Sequence, residues 1–144
     1  MITRRWCLLF VGVFAVSALG CASTSESSRS VGPADLAALA GTWQGTASGA
    51  QGLSQPVTMV LGADGAYTMT GGTGGVFTSQ GTAQVKDGKV IFTSRSTSGG
   101  QTADRVTTAI FSERTEPSQV VQVLTGSGSS PAGPYSFSVS RPKR

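Results

Sequence analysis

The chain has 144 residues, room for one domain, with no histidine and two cysteines, Cys7 and Cys21. Those absences exclude histidine-based catalytic triads, histidine–cysteine zinc sites and a disulfide framework. The net charge of +4 is carried by the chain ends. Between Gly41 and Ser140 the bases Lys86, Lys89, Arg95, Arg105 and Arg114 are matched by Asp64, Asp87, Asp104, Glu113 and Glu116, which leaves no basic stripe for nucleic acid.

Met1–Gly20 has the parts of a targeting segment. Arg4 and Arg5 form a positive start, and Trp6–Leu19 is uncharged and apolar. As a helix this run of about fourteen residues would reach roughly 21 Å, short of the ~30 Å hydrocarbon core. It therefore reads as a signal peptide and not as a membrane span. The run ends in Ser17-Ala18-Leu19-Gly20-Cys21, which resembles the lipobox of bacterial lipoproteins, with Leu and Ala exchanged relative to the commonest order. The resemblance implies cleavage before Cys21 and acylation of that residue with chains such as palmitate. Several acyl chains on one residue anchor a protein stably, which a single chain does not. Ala22, where an aspartate would retain the protein in the inner membrane, implies the outer membrane and leaves open which side the domain faces. Processing removes Cys7 and occupies Cys21, so neither a free thiol nor a disulfide is expected in the mature domain.

Ala22–Pro33 is rich in serine without apolar period and reads as a flexible tether spanning about 20 Å. Ala34–Ala40 is the one helical stretch: Leu36 and Leu39 share a face, Asp35 suits the positive start of a helix, and Gly41 stops it. The expected organisation is a signal peptide over 1–20, an acylated cysteine and tether over 21–33, and a single domain over 34–144.

From Gly41 the composition turns to Val, Thr, Ser and Gly, and short apolar-alternating runs recur between turn signals. Strands are expected over Thr42–Ser48, Pro56–Leu61, Ala66–Thr70, Thr78–Lys86, Lys89–Arg95, Asp104–Glu113, Gln119–Thr125 and Pro134–Ser140. Tyr135, Phe137 and Val139 alternate with serines, the pattern of a half-buried strand. Asp87-Gly88 predicts a two-residue type I′ hairpin that pairs Val85 with Val90 and Ala83 with Phe92. Gly62–Gly65 predicts a second tight hairpin. Gly71–Gly75, Ser96–Gln101 and Gly126–Gly133 read as flexible rim loops. The first lacks the Gly-Lys-Ser/Thr of a phosphate-binding loop.

Even spacing of short antiparallel strands indicates an up-and-down barrel or a sandwich. Leu39-Ala40-Gly41-Thr42-Trp43, a short helix entering Gly-x-Trp at the first strand, resembles the lipocalin and calycin pattern. The resemblance implies that Trp43 plugs one end of an eight-stranded barrel, with Arg141, just past the last strand, as its basic partner. No Thr-Asp-Tyr motif accompanies it. The expected fold is all-β: a small antiparallel up-and-down β-barrel of about eight short strands, with a flattened six- or seven-stranded barrel as the competitor.

No constellation for catalysis stands out. Asp64 and Asp87 sit in turns, and Asp104, Glu113 and Glu116 lie near Arg105 or Arg114 as on a solvated strand surface. No catalytic residue, metal or cofactor is expected, and the chain reads as a non-enzymatic envelope lipoprotein. Its partners would be the membrane, through the N-terminal lipid, and a small apolar ligand in or at the barrel mouth, contacted by Trp43, Tyr67, Phe92 and Phe137. The alternatives are a structural or surface lipoprotein without a pocket, and a barrel resembling bacterial metalloprotease inhibitors, whose disulfide this chain lacks. A cavity above about 300 Å³ would favour binding and a filled core would favour structure.

Overall fold

The computed structural model describes residues 25–32, 34–49, 52–72 and 77–144. The signal-like segment with Cys7 and Cys21, and residues 73–75 of the glycine run, lie outside the described residues.

The elements in chain order are β1 (Glu26–Ser28), α1 (Asp35–Ala38), β2 (Gly41–Ser48), β3 (Ser54–Leu61), β4 (Ala66–Gly71), β5 (Phe77–Lys86), β6 (Lys89–Ser98), β7 (Gln101–Glu116), β8 (Gln119–Ser130) and β9 (Gly133–Pro142). From β2 to β9 each strand pairs antiparallel with its chain neighbour, and β9 pairs back onto β2. The result is a closed eight-stranded up-and-down barrel, an arrangement that leaves no free edge between its staves. Side chains alternate inward and outward: on β6, Val90, Phe92, Ser94 and Ser96 are buried while Thr93 and Arg95 are exposed.

All eight expected strands are present, and several run longer than their apolar pattern. β7 extends well beyond Asp104–Glu113. The segments 96–101 and 126–133 are mostly ladder and not loop: Ser98 pairs with Gln101 across Gly99-Gly100, and Ser130 pairs with Gly133 across Pro131-Ala132. Backbone hydrogen bonds need no apolar side chain, so serine and glycine continue a strand whose neighbours are already in register. Asp87 and Gly88 both take left-handed φ values, 52° and 74°, as a type I′ turn requires. That turn sets Val85 opposite Val90 and Ala83 opposite Phe92.

The tether expectation fails over residues 25–32. β1 pairs with β7 through Glu26–Arg114, Ser27–Glu113 and Ser28–Ser112. Arg29 N–H donates to the Phe111 carbonyl and Val31 N–H to the Gly88 carbonyl, and Val31 is buried with the core. The cause lies in β7. Its ladder with β6 ends at Ala109, so the far half of β7 has no β6 partner. Unpaired strand groups require satisfaction, and β1 supplies it. Ser112, on the outer face, is buried and donates from Oγ to Glu26 Oε1 at 2.8 Å.

The interior changes character along the strands. Near α1 it is apolar: Val31, Leu39, Trp43, Leu61 and Val90 belong to one buried cluster. Toward the opposite end the buried inward residues include Ser79, Ser94, Ser96 and Thr107. The barrel is narrow, and glycine makes room for rings. Gly126 pairs with Phe137, whose ring lies where a Cβ on the glycine would be.

Candidate functional site

One end of the barrel is sealed. Trp43 has no exposed surface, and its Nε1–H donates to the Leu39 carbonyl at 3.0 Å. Arg141 lies within β9, not beyond it. Its guanidinium carbon sits 4.3 Å from the centre of the Trp43 ring. It donates to the Ala38 carbonyl at 2.7 Å, to the Ala40 carbonyl at 2.5 Å and to Gln122 Oε1 at 2.9 Å. The last carbonyls of a helix lack internal partners and carry partial negative charge, so a cation there is favoured, and the indole face attracts it as well. Burial, and secondarily Arg144, lowers the pKa of Arg141 from its usual value.

The other end opens onto a cavity of about 110 Å³. Two of the four expected lining residues, Tyr67 and Phe137, border it, joined by Met69 and Phe77. Trp43 and Phe92 do not. Trp43 stands beside α1 at the sealed end. Phe92 lies beneath the cavity floor, edge-on to Tyr67 (4.8 Å between centroids, 76°) and to Phe137 (5.8 Å, 81°). Phe92 is buried against both rings and presents no surface to the cavity.

The lining also carries many hydroxyls. Tyr67 and Ser79 hydroxyls share a 3.3 Å hydrogen bond, and Ser96 Oγ donates to Ser79 Oγ at 2.9 Å. Thr107 and Tyr135 hydroxyls meet at 2.6 Å, and the Tyr135 hydroxyl also reaches the Val106 carbonyl at 3.1 Å. Burial raises the pKa of Tyr67, which keeps its phenol neutral. Arg105 borders both this cavity and a wider vestibule of about 690 Å³ outside it.

Arg105 does not act as the surface partner of Asp104. Asp104 pairs with Arg95 at 3.1 Å, Glu116 with Arg114 at 2.8 Å, and Glu113 with Lys143 at 2.9 Å. Adjacent strand residues point to opposite faces, so Arg105 turns inward with Thr107 and Ala109 while Asp104 turns out. Its guanidinium lies 4.7 Å from the Tyr135 ring centre, and its Nε is buried without a hydrogen-bond partner. Sequence reasoning left Arg105 on a solvated strand surface, although its parity with Phe111 was a usable signal.

Among the described residues no group of three His, Cys, Asp or Glu side chains is placed to hold a metal ion. No family model, no curated protein and no solved structure gives a significant match to this chain.

Proposed function

We propose that this chain is a non-enzymatic, lipid-anchored envelope protein whose barrel takes up one small, partly apolar molecule. The observation that carries this reading is the asymmetry of the barrel: Trp43 and Arg141 seal one end, and the other leads through a vestibule to an internal cavity lined by rings and hydroxyls. Rigid scaffolds with an open, partly apolar cavity are the usual setting for small-ligand binding. A lipocalin-like relationship is supported by Gly41-Thr42-Trp43 and the stacked Arg141.

Anchoring is supported by Arg4, Arg5, the apolar run and the lipobox at Cys21, and the outer membrane by Ala22. Because β1 begins at Glu26, only residues 22–25 separate Cys21 from the barrel. Four extended residues reach at most about 14 Å. β1 also lies toward the sealed end, with Val31 bonded at the Gly88 turn. An acylated Cys21 would therefore hold the sealed end near lipid and turn the vestibule away. The protease-inhibitor reading loses its support, since it needs a loose N-terminal segment where residues 25–32 are docked.

A structural role without ligand is the second reading, favoured by the size of the cavity: about 110 Å³ against the ~300 Å³ at which drug-sized pockets begin. Backbone-amide NMR spectra of the full chain, titrated with a panel of compact apolar molecules, separate the two. Binding should shift resonances of Met69, Phe77 and Phe137, and Ser94→Phe, which fills the cavity, should abolish the shifts while the barrel stays folded. If no probe moves these resonances at saturation, the structural reading stands in place of the binding one.

A further inference from the structure

Resting on the binding reading above, the geometry points to a compact monocarboxylic acid as the ligand class, its carboxylate held by Arg105 at the junction of cavity and vestibule. Three observations converge on this. Arg105 is in none of the ion pairs found among the described residues, and no carboxylate borders the cavity. Its Nε is buried and has no hydrogen-bond partner. The cavity beside it combines hydroxyls (Ser94, Ser96, Thr107) with apolar surface from Met69, Phe77 and Phe137.

A buried donor left unsatisfied costs the desolvation of that group, and more when the group is charged. Asp104, its neighbour in the chain, is committed to Arg95 on the outer face. A ligand oxygen is what would satisfy the free Nε–H. A guanidinium presents parallel N–H groups that match the two oxygens of a carboxylate, and such charge-assisted pairs are short and strong. Ser94, paired opposite Arg105 on β6, presents a further hydroxyl to the same cavity.

The choice among anions follows from the lining. A doubly charged phosphate would meet one cation and a wall whose exposed surface is mostly apolar, which leaves its second charge desolvated without compensation. A neutral apolar molecule would leave Arg105 Nε as it is now. A monoanion with an apolar body satisfies both parts. The inner cavity, about 110 Å³, is smaller than the ~150 Å³ that admits benzene elsewhere. The part of the body inside the cavity is therefore a short chain, and a longer chain or a ring extends into the vestibule.

The test compares acids with alcohols of the same skeleton, hexanoate with 1-hexanol and benzoate with benzyl alcohol, by calorimetry and NMR on the full chain. Hydrogen bonds to a charged group contribute enough for the acid to bind about tenfold tighter or more. Arg105→Gln should erase that preference while alcohol binding persists, which also shows that the variant is folded. In the wild type, with no substitution needed, hexanoate affinity should fall to that of hexanol as pH drops through the acid's own ionisation at ~4–5. Acid and alcohol binding equally well to the wild type overturns the carboxylate assignment and leaves the binding reading standing. Inorganic phosphate displacing hexanoate at lower concentration than hexanoate itself requires overturns it in favour of a phosphate site. No binding of any of the four compounds removes the binding reading and this inference with it.

Discussion

Replacing Trp43 with alanine should bring the barrel close to unfolding. The indole has no exposed surface, so its whole side chain is withdrawn from water. Truncating a buried aromatic to alanine costs about 3–5 kcal/mol. The Nε1–H bond to the Leu39 carbonyl adds about 1 kcal/mol. Loss of the Arg141 contact at 4.3 Å adds ~0.5–2 kcal/mol and leaves that guanidinium over an empty space. The terms overlap, and a total of about 4–6 kcal/mol is expected, comparable to the whole stability of a small domain, ~5–15 kcal/mol. Urea unfolding followed by circular dichroism measures it, since the variant lacks the core tryptophan that would report on unfolding. With a slope of about 2 kcal/mol/M the midpoint should fall by roughly 2–3 M. Trp43→Phe retains most of the ring and should lose only about 1–2 kcal/mol. Combined with Arg141→Leu in a double-mutant cycle, Trp43→Ala should reveal a coupling of about 0.5–2 kcal/mol. A midpoint shift of Trp43→Ala below about 0.5 M, or a coupling of zero, would refute the claim that this pair seals the barrel.

Cys21→Ser should prevent incorporation of radioactive palmitate and release the chain from membranes; persistent label would rule out Cys21 as the acylation site. Val31→Asp should place a carboxylate in the apolar cluster and detach β1, so amides of Phe111–Thr115 should exchange faster with deuterium while those at the Gly99-Gly100 hairpin do not change. Glu113 titrates below the usual carboxylate range because Lys143 Nζ bonds its carboxylate at 2.9 Å, with Gln122 adding a smaller effect against the opposing desolvation. A depressed folded-state pKa means the contribution is present above the unfolded carboxylate pKa and disappears as pH falls through the lower folded value. Carbon-detected NMR should show the Glu113 pKa returning upward in Lys143→Ala, with little loss of stability, because the pair is largely solvated.

Much of the barrel was legible because its signals are local. The turn at Asp87-Gly88 demands left-handed backbone at both positions, which these residues tolerate, and the register that follows is the one that buries Ala83, Val90 and Phe92 together, with Val85 packed against them. The same holds for Gly62–Gly65, where Asp64 Oδ1 accepts from Ala66 N–H at 3.0 Å in the manner of an Asx turn. Trp43 was legible from its place between a short helix and the first strand. Arg105 was misread because charge was matched along the chain, to Asp104, when strand parity sends neighbours to opposite faces.

The sequence by itself determined the strands, their order and the tight turns, because alternation and turn chemistry act over two to six residues. Three features were decided only by the tertiary structure. β1 forms on a serine-rich segment with no strand pattern because β7 outruns β6 and offers unpaired backbone groups. The Ser/Gly stretches near the open end become ladder because their neighbours hold them in register. The cavity exists because closure of eight strands sets a fixed interior, and the inward residues at that end, Ser79, Ser94, Ser96 and Thr107, are too small to fill it. Whether a small inward side chain faces a void or a neighbouring ring, as Gly126 faces Phe137, depends on what the opposite staves contribute, and that is a property of the closed barrel and not of any one strand.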